Sequence, residues 1–311
     1  MNYKACAELL LKNDNYLIIS HKNPDGDTVG SCAALCSALR RMGKTAYLYR
    51  NPQITKKFLP YAEEFFAPER FEGEFVVAVD TATPQLFPLG FAGKVQLCID
   101  HHPSNERYAQ KLLLKADKAS CGEIVLELVR TLCGDVTKQE ANLLYIAVST
   151  DTGCFMYGNV NAATFKAAAK LFEYGADCSL LNQRLFRKKS AGRLKLEGLI
   201  FSTLSLYRDG TISLAKITQA MLREAGATED DLDDIAGLAG MAETSRVNIT
   251  IRELPDGSSK VSLRSTPEVN SSSVCAVFGG GGHAMAAGCT ISCPPDRAAT
   301  MILEVLNEVW K

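Results

Sequence analysis

The chain has 311 residues, 47% apolar and 22% charged, with 34 Lys and Arg against 35 Asp and Glu and a net charge of −1. That length suits roughly two domains whose cores need no disulfide staples. The charge balance excludes a strongly basic protein that coats long nucleic acid by charge alone.

Residues 1–11 carry Lys4 and Glu8 and no long apolar core, so no secretory signal is expected. In chain order, the apolar runs 16–20, 46–50, 75–80 and 95–100 read as strands buried on both faces of a parallel sheet. A helix is expected over 28–42, closed by Gly43, and further helices over 120–133, 138–148, 162–174 and 177–195. The style then changes. Asp209-Gly210 and Asp256-Gly257 sit between alternating apolar residues and predict hairpins over 204–217 and 248–265. Helices are expected over 218–225, 230–239, 271–278 and 296–310. The fold class is α/β: a mainly parallel sheet with flanking helices over 1–190, a linker over 191–203, and a smaller α+β domain over 204–311. The longest uncharged stretch, 269–295, holds three serines and four glycines and is unsuited to spanning a membrane. Eleven scattered cysteines with no C-x-x-C pair read as small thiols of a reducing, cytoplasmic setting, and paired Cys/His at zinc spacing is absent.

The chemistry gathers where strands end. Of four histidines, His21, His101 and His102 follow apolar strands directly, and loops after strand carboxyl ends are where open α/β sheets bind ligands. His21-Lys-Asn-Pro-Asp25-Gly-Asp27 follows the first strand, Asp80 ends the third, Asp100-His101-His102 ends the fourth, and Asp151 follows an apolar run over 143–148. Each alone could be a turn or a helix cap. Brought to one edge, they would repel one another unless cations occupied the cluster. Carboxylate and imidazole without a thiolate motif favour Mn²⁺, or Mg²⁺, over structural zinc. Seven of these eight residues, four carboxylates and three imidazoles, are about what two ions roughly 4 Å apart need for in-line attack on phosphorus.

HKNPDGD, VD, DHH and STDTG, in this order and spacing, resemble the successive motifs of the DHH phosphoesterases. Val261-Ser-Leu-Arg-Ser265 and Phe278-Gly-Gly-Gly-Gly-His-Ala-Met-Ala-Ala-Gly288 resemble the DHHA1 domain of the same family, so that the resemblance covers essentially the whole chain. It implies that His21 and Asp25 bind one Mn²⁺ and Asp27, His101 and Asp151 a second, with Asp80 bridging. It implies that His102 faces the substrate phosphate, that Asp100 orients an imidazole, and that a hydroxide held between the ions attacks phosphorus. Arg264, Ser265, Gly280, Gly281, Gly282 and His283 would hold the substrate's other end. The compact size is similar to the stand-alone nanoRNase and 3′-phosphoadenosine 5′-phosphate (pAp) phosphatase group of the family. The substrates implied are short RNA oligonucleotides and pAp. The sequence does not give the oligomeric state, and a homodimer is the working expectation. A phosphodiesterase for linear dinucleotides such as pApA is the second enzymatic reading. A nucleotide sensor that keeps the clamp without catalysis is the non-enzymatic one, but it predicts a broken ligand position, and none is broken.

Overall fold

The computed structural model describes residues 1–232 and 235–310. The chain divides into two compact units, Met1–Lys188 and Lys189–Lys311. In the first, α1 (Tyr3–Lys12) leads into β1 (Tyr16–Ile19), α2 (Gly26–Arg41) and β2 (Ala46–Leu48). Then come β3 (Phe75–Val79), β4 (Leu97–Asp100), β5 (Lys111–Leu114), α3 (Cys121–Cys133), α4 (Lys138–Asp151), α5 (Ala162–Glu173) and α6 (Cys178–Asn182). The five strands form one parallel sheet in the order β2-β1-β3-β4-β5.

The central strands β3 and β4 are buried along their whole length, which is why they are nearly unbroken runs of Val, Ala, Leu and Ile. Val77, Val79, Leu97 and Ile99 join the core packed with α2, α3 and α4. Val76, Ala78 and Cys98 turn to the opposite face, against Phe87, Phe91 and Tyr108. Because every strand runs the same way, the carboxyl ends of β1, β3 and β4 open on one edge.

Two glycines of α2 set how close α4 comes. A Cβ on Gly30 would lie 2.3 Å from the Leu143 carbonyl oxygen, and one on Gly26 would lie 2.4 Å from Thr150 Oγ1. Both helices are firmly started. Asp25 caps α2 by accepting from the amides of Asp27 and Thr28, and Thr137 with Glu140 forms a capping box on α4.

The second unit holds α7 (Ala191–Ser202), β6 (Ser205–Tyr207), β7 (Ile212–Ile217), α8 (Gln219–Ala225), β8 (Val247–Glu253) and β9 (Ser259–Ser265). It ends with α9 (Ser271–Ala276), β10 (Gly281–His283), β11 (Ala286–Ile291) and α10 (Pro295–Val309). Its six-stranded sheet has the order β10-β11-β9-β8-β7-β6, with β7 and β8 parallel and the other pairs antiparallel. Both expected hairpins are present, β6–β7 turning through Asp209 and Gly210 and β8–β9 through Gly257, all at positive φ.

Three expectations differ from what is observed. The single helix over 177–195 is broken: α6 passes into a wide π-turn at Gln183–Arg187, and the chain is extended at Lys188. It restarts at α7 because the Ser190 hydroxyl accepts from the Arg193 amide, a capping contact. The segment 191–203, expected as a linker, is therefore mostly α7, whose Leu196 and Ile200 are buried against Ala215, Ile217 and Leu222. The helix expected over 230–239 is replaced by short 3-10 turns at Glu229–Leu232 and Ile235–Met241; residues 233 and 234 of that range lie outside the described residues, as does 311. All eleven cysteines are free. Among the described residues no helix is long and apolar enough to cross a membrane.

Candidate metal centre

The edge of the first sheet gathers the residues singled out above. His21 leaves β1 with Nδ1 2.7 Å from the Lys22 carbonyl oxygen. A carbonyl only accepts, so Nδ1 carries a proton, and in the neutral ring Nε2 keeps its lone pair. That Nε2 lies 3.8 Å from Asp25 Oδ1 and 3.7 Å from Asp80 Oδ2. His101 is held the same way, Nδ1 3.2 Å from the Lys118 carbonyl oxygen. Its Nε2 is 3.5 Å from Asp80 Oδ1, 3.6 Å from Asp151 Oδ2 and 3.9 Å from Asp27 Oδ2. These spacings are long for hydrogen bonds and short enough for both groups to share a cation.

Asp80 is the centre of the arrangement. It is 3% exposed, its backbone has φ +56°, and its Oδ1 has no hydrogen-bond partner among the described residues. A buried carboxylate oxygen without a donor costs free energy unless something positive meets it. A non-glycine residue held in the left-handed region right after a strand is a strain that tight packing at a functional edge sustains. Asp27 is buried more deeply still, and its two oxygens accept from the Cys121 and Gly122 amides at 2.7 and 2.9 Å, with Ser31 Oγ at 3.2 Å. The first turn of α3 thus seats Asp27 on its amide groups. Asp151 lies three residues past the helix end expected at 148 and is the last residue of α4, and the contact of α4 with Gly26 and Gly30 brings it to α2.

The electrostatics state the same demand. Burial first, then Asp151 and Asp25, pushes the Asp27 carboxyl well above the ordinary range. Burial, then Asp27 and Asp25, does this to Asp80. Asp151 is pushed up to about 6 by burial and then by Asp25. Burial, then His102, lowers His101. Acids raised by burial and by one another, beside an imidazole that burial lowers, make a demand for positive charge that a cation would meet.

Asp100 and His102 behave differently. Asp100 is fully buried and accepts from the amides of His101 and His102, from Asn105 Nδ2 at 2.6 Å and from His102 Nδ1 at 2.8 Å. Burial would raise this carboxyl, but the His102 and Asn105 hydrogen bonds outweigh it and hold it below the usual range. The same bond raises His102. His102 Nδ1 also lies 3.5 Å from Asp80 Oδ1, but it is committed to Asp100, which leaves its other nitrogen on a side chain 42% exposed.

Among the described residues, donor atoms within 4.8 Å of one another fall into four overlapping groups: His21, Asp25 and Asp80; Asp27, His101 and Asp151; Asp80, His101 and His102; Asp27, Asp80 and Cys121. The first two share no residue, and Asp80 links them through its 3.5 Å approach to His101. Sequence reasoning missed Asn105, Ser31 and the amides of Cys121 and Gly122. Only Asn105, three residues past the histidine pair, carried any signal there.

The remaining candidates lie in the second unit. His283 of β10 pairs in register with Ala286 of β11, which pairs with Arg264 of β9, and both His283 and Arg264 are exposed. Residues opposite one another across antiparallel strands share a face, so a guanidinium and an imidazole stand on one rung. Gly281 and Gly282 belong to β10 rather than to a free loop, and Gly280 approaches Cys289 so closely that a Cβ there would lie 2.5 Å from the Cys289 Cβ. Ser265 is not free: its Oγ is 2.6 Å from the Val269 carbonyl oxygen and 2.7 Å from Ser271 Oγ.

A parallel α/β sheet that ends in a carboxylate and imidazole cluster, followed by a mixed-sheet domain with a glycine-histidine hairpin, defines a metal-site hydrolase class. Residues 15–148 match the DHH family N-terminal domain, and residues 214–311 match the DHHA1 domain. The chain is 34% identical over 296 residues to the bifunctional oligoribonuclease and PAP phosphatase NrnA of Thermus thermophilus, covering 94% of this chain and 89% of that protein. It is 29% identical to the protein of the same name from Bacillus subtilis, covering 89% and 90%. An exopolyphosphatase-related protein from Bacteroides fragilis superposes with a TM-score of 0.87 at 21% identity, covering 98% and 96% of the two chains, and so shares the fold. The chain belongs to the DHH family and is a phosphoester hydrolase.

Proposed function

We propose that this chain is a Mn²⁺-dependent hydrolase that shortens RNA of a few nucleotides to 5′-mononucleotides and removes the 3′-phosphate of pAp to give AMP. The end-to-end similarity to the Thermus thermophilus oligoribonuclease and PAP phosphatase supports the substrate class. The observation that carries the metal reading is Asp80 Oδ1, buried and without a donor, between His101 and His102.

The residues fit two ions: His21 and Asp25 on one side, Asp27, His101 and Asp151 on the other, with Asp80 between. Mixed imidazole and carboxylate donors suit Mn²⁺ better than Mg²⁺. When bound, such ions lower the pKa of water and neutralise phosphate charge. The chain's own groups do the rest. Asp100 fixes the tautomer and direction of His102, which meets the scissile phosphate and donates a proton there. Lys22 and Lys118 carbonyl oxygens keep the lone pairs of His21 and His101 aimed inward. Arg264 and His283, exposed on one rung of the second unit's sheet, offer a guanidinium and an imidazole to a substrate phosphate.

The test is a hydrolysis panel with and without Mn²⁺: RNA of two to five nucleotides, pAp, pApA, long single-stranded DNA and pyrophosphate. Metal-dependent turnover of the short RNAs and pAp is expected. A strong preference for long DNA, or for pApA over both, would overturn the substrate assignment.

A further inference from the structure

We propose that Cys121 gives this centre a second, thiophilic mode of cation binding, in which Asp27, Asp80 and Cys121 Sγ together hold one soft divalent cation such as Cd²⁺ or Zn²⁺. The inference rests on the metal-centre reading above and concerns a residue that reading leaves unused.

Cys121 is the first residue of α3 and is fully buried. Its sulfur and one carboxylate oxygen each from Asp27 and Asp80 lie within 4.8 Å of one another. The placement is rigid, because the Cys121 amide donates to Asp27 Oδ2 at 2.7 Å and the next amide holds Oδ1. Among the described residues the thiol makes one weak hydrogen bond, donating to the Ile99 carbonyl oxygen at 3.6 Å, which leaves its lone pairs uncommitted. A second observation bears on the same group of donors: the Asp80 carboxylate is buried, and its Oδ1 has no hydrogen-bond partner among the described residues.

The selectivity follows from donor softness. Mg²⁺ prefers oxygen, Mn²⁺ takes oxygen with some imidazole, and both gain little from sulfur, whereas Cd²⁺ and Zn²⁺ bind thiolate strongly. On capture the Cys121 proton passes to solvent, sulfur donates a pair to the cation, and nothing is oxidised. Asp27 and Asp80 serve both sets, so a soft ion on Cys121 excludes Mn²⁺ from those oxygens.

The experiment uses the metal-free full-length chain titrated with Cd²⁺, followed by the ultraviolet thiolate-to-cadmium charge-transfer band. Ten other cysteines give a background, so the readout is a difference. Cys121→Ser should lose one equivalent of band amplitude and at least tenfold in affinity at that site. Saturating Mn²⁺ should suppress the same equivalent in the wild type. Asp80→Asn, which keeps the thiol, should also lose it, and carries the test if Cys121→Ser does not fold. An unchanged band in the variants, or one indifferent to Mn²⁺, would overturn the inference. Absence of any Mn²⁺ binding to the wild type would instead overturn the metal-centre reading.

Discussion

Replacing Gly30 by alanine tests how the first unit brings its acids together. The new Cβ would sit 2.3 Å from the Leu143 carbonyl oxygen, 3.1 Å from the Ala147 nitrogen and 3.2 Å from the Ala147 Cβ. Ordinary contact needs more than 3.4 Å, and the obstacle is backbone, which cannot rotate aside. α2 and α4 must therefore part by on the order of 1 Å, an overpacking that costs about 1–3 kcal/mol. For a unit of this size that corresponds to a fall in melting temperature of roughly 2–12 °C. The same displacement moves Asp151, on α4, away from Asp25 and Asp27, at the start of α2. Mn²⁺ affinity, measured by calorimetry on the folded variant, should fall about 10–100-fold, as when supporting contacts of metal sites are lost. A variant with unchanged melting and unchanged Mn²⁺ affinity would refute the argument that this close approach builds the site.

Asp80→Asn should lower kcat by about 10³-fold or more on every substrate, since a unit charge a few ångströms from a cation is worth about 4 kcal/mol at an effective dielectric of 20. Arg264→Ala should mainly raise KM on short substrates, and equal kcat losses in both would show that chemistry and recognition are not divided this way. Asp100→Asn should reduce kcat about 10–100-fold, and its effect should be strongly non-additive with His102→Ala in a double-mutant cycle; additivity would mean that Asp100 acts elsewhere. Glu197 accepts from Lys189 at 2.7 Å, and those contacts with Arg193 outweigh burial and hold its carboxyl below 4.5. The unfolded chain then binds the proton more readily, so this contribution is full above the unfolded value and is lost as pH falls through the lower folded one. Glu197→Gln should therefore cost about 1–3 kcal/mol at pH 7 in denaturant melts, with the difference from wild type vanishing in acid.

The carboxyl-terminal strand edge was legible because a parallel sheet needs uninterrupted apolar strands, and polar residues that follow them, such as His21, Asp80 and Asp100, stand out. The hairpins were legible because Asp-Gly serves turns of positive φ. β5 was not, since Lys111-Leu-Leu-Leu is short and lies on a half-covered edge. Nor was β11, where Ala286-Ala-Gly gives no strand propensity and pairing with β9 decides. The break near Lys188 hid in a sequence of good helix formers, and only the cap at Ser190 marks it. In the centre itself, side chains that act could be read, while what holds them could not. The amides under Asp27 come from residues more than ninety positions away, and backbone groups leave no trace in residue identity.

The most direct measurement of the central claim is the stoichiometry and coupling of Mn²⁺ on the full-length protein. Equilibrium binding should give two ions per chain, and electron paramagnetic resonance should show them exchange-coupled, with the coupling lost in Asp80→Asn. One ion per chain, or two that remain magnetically independent in the wild type, would contradict a shared carboxylate at Asp80.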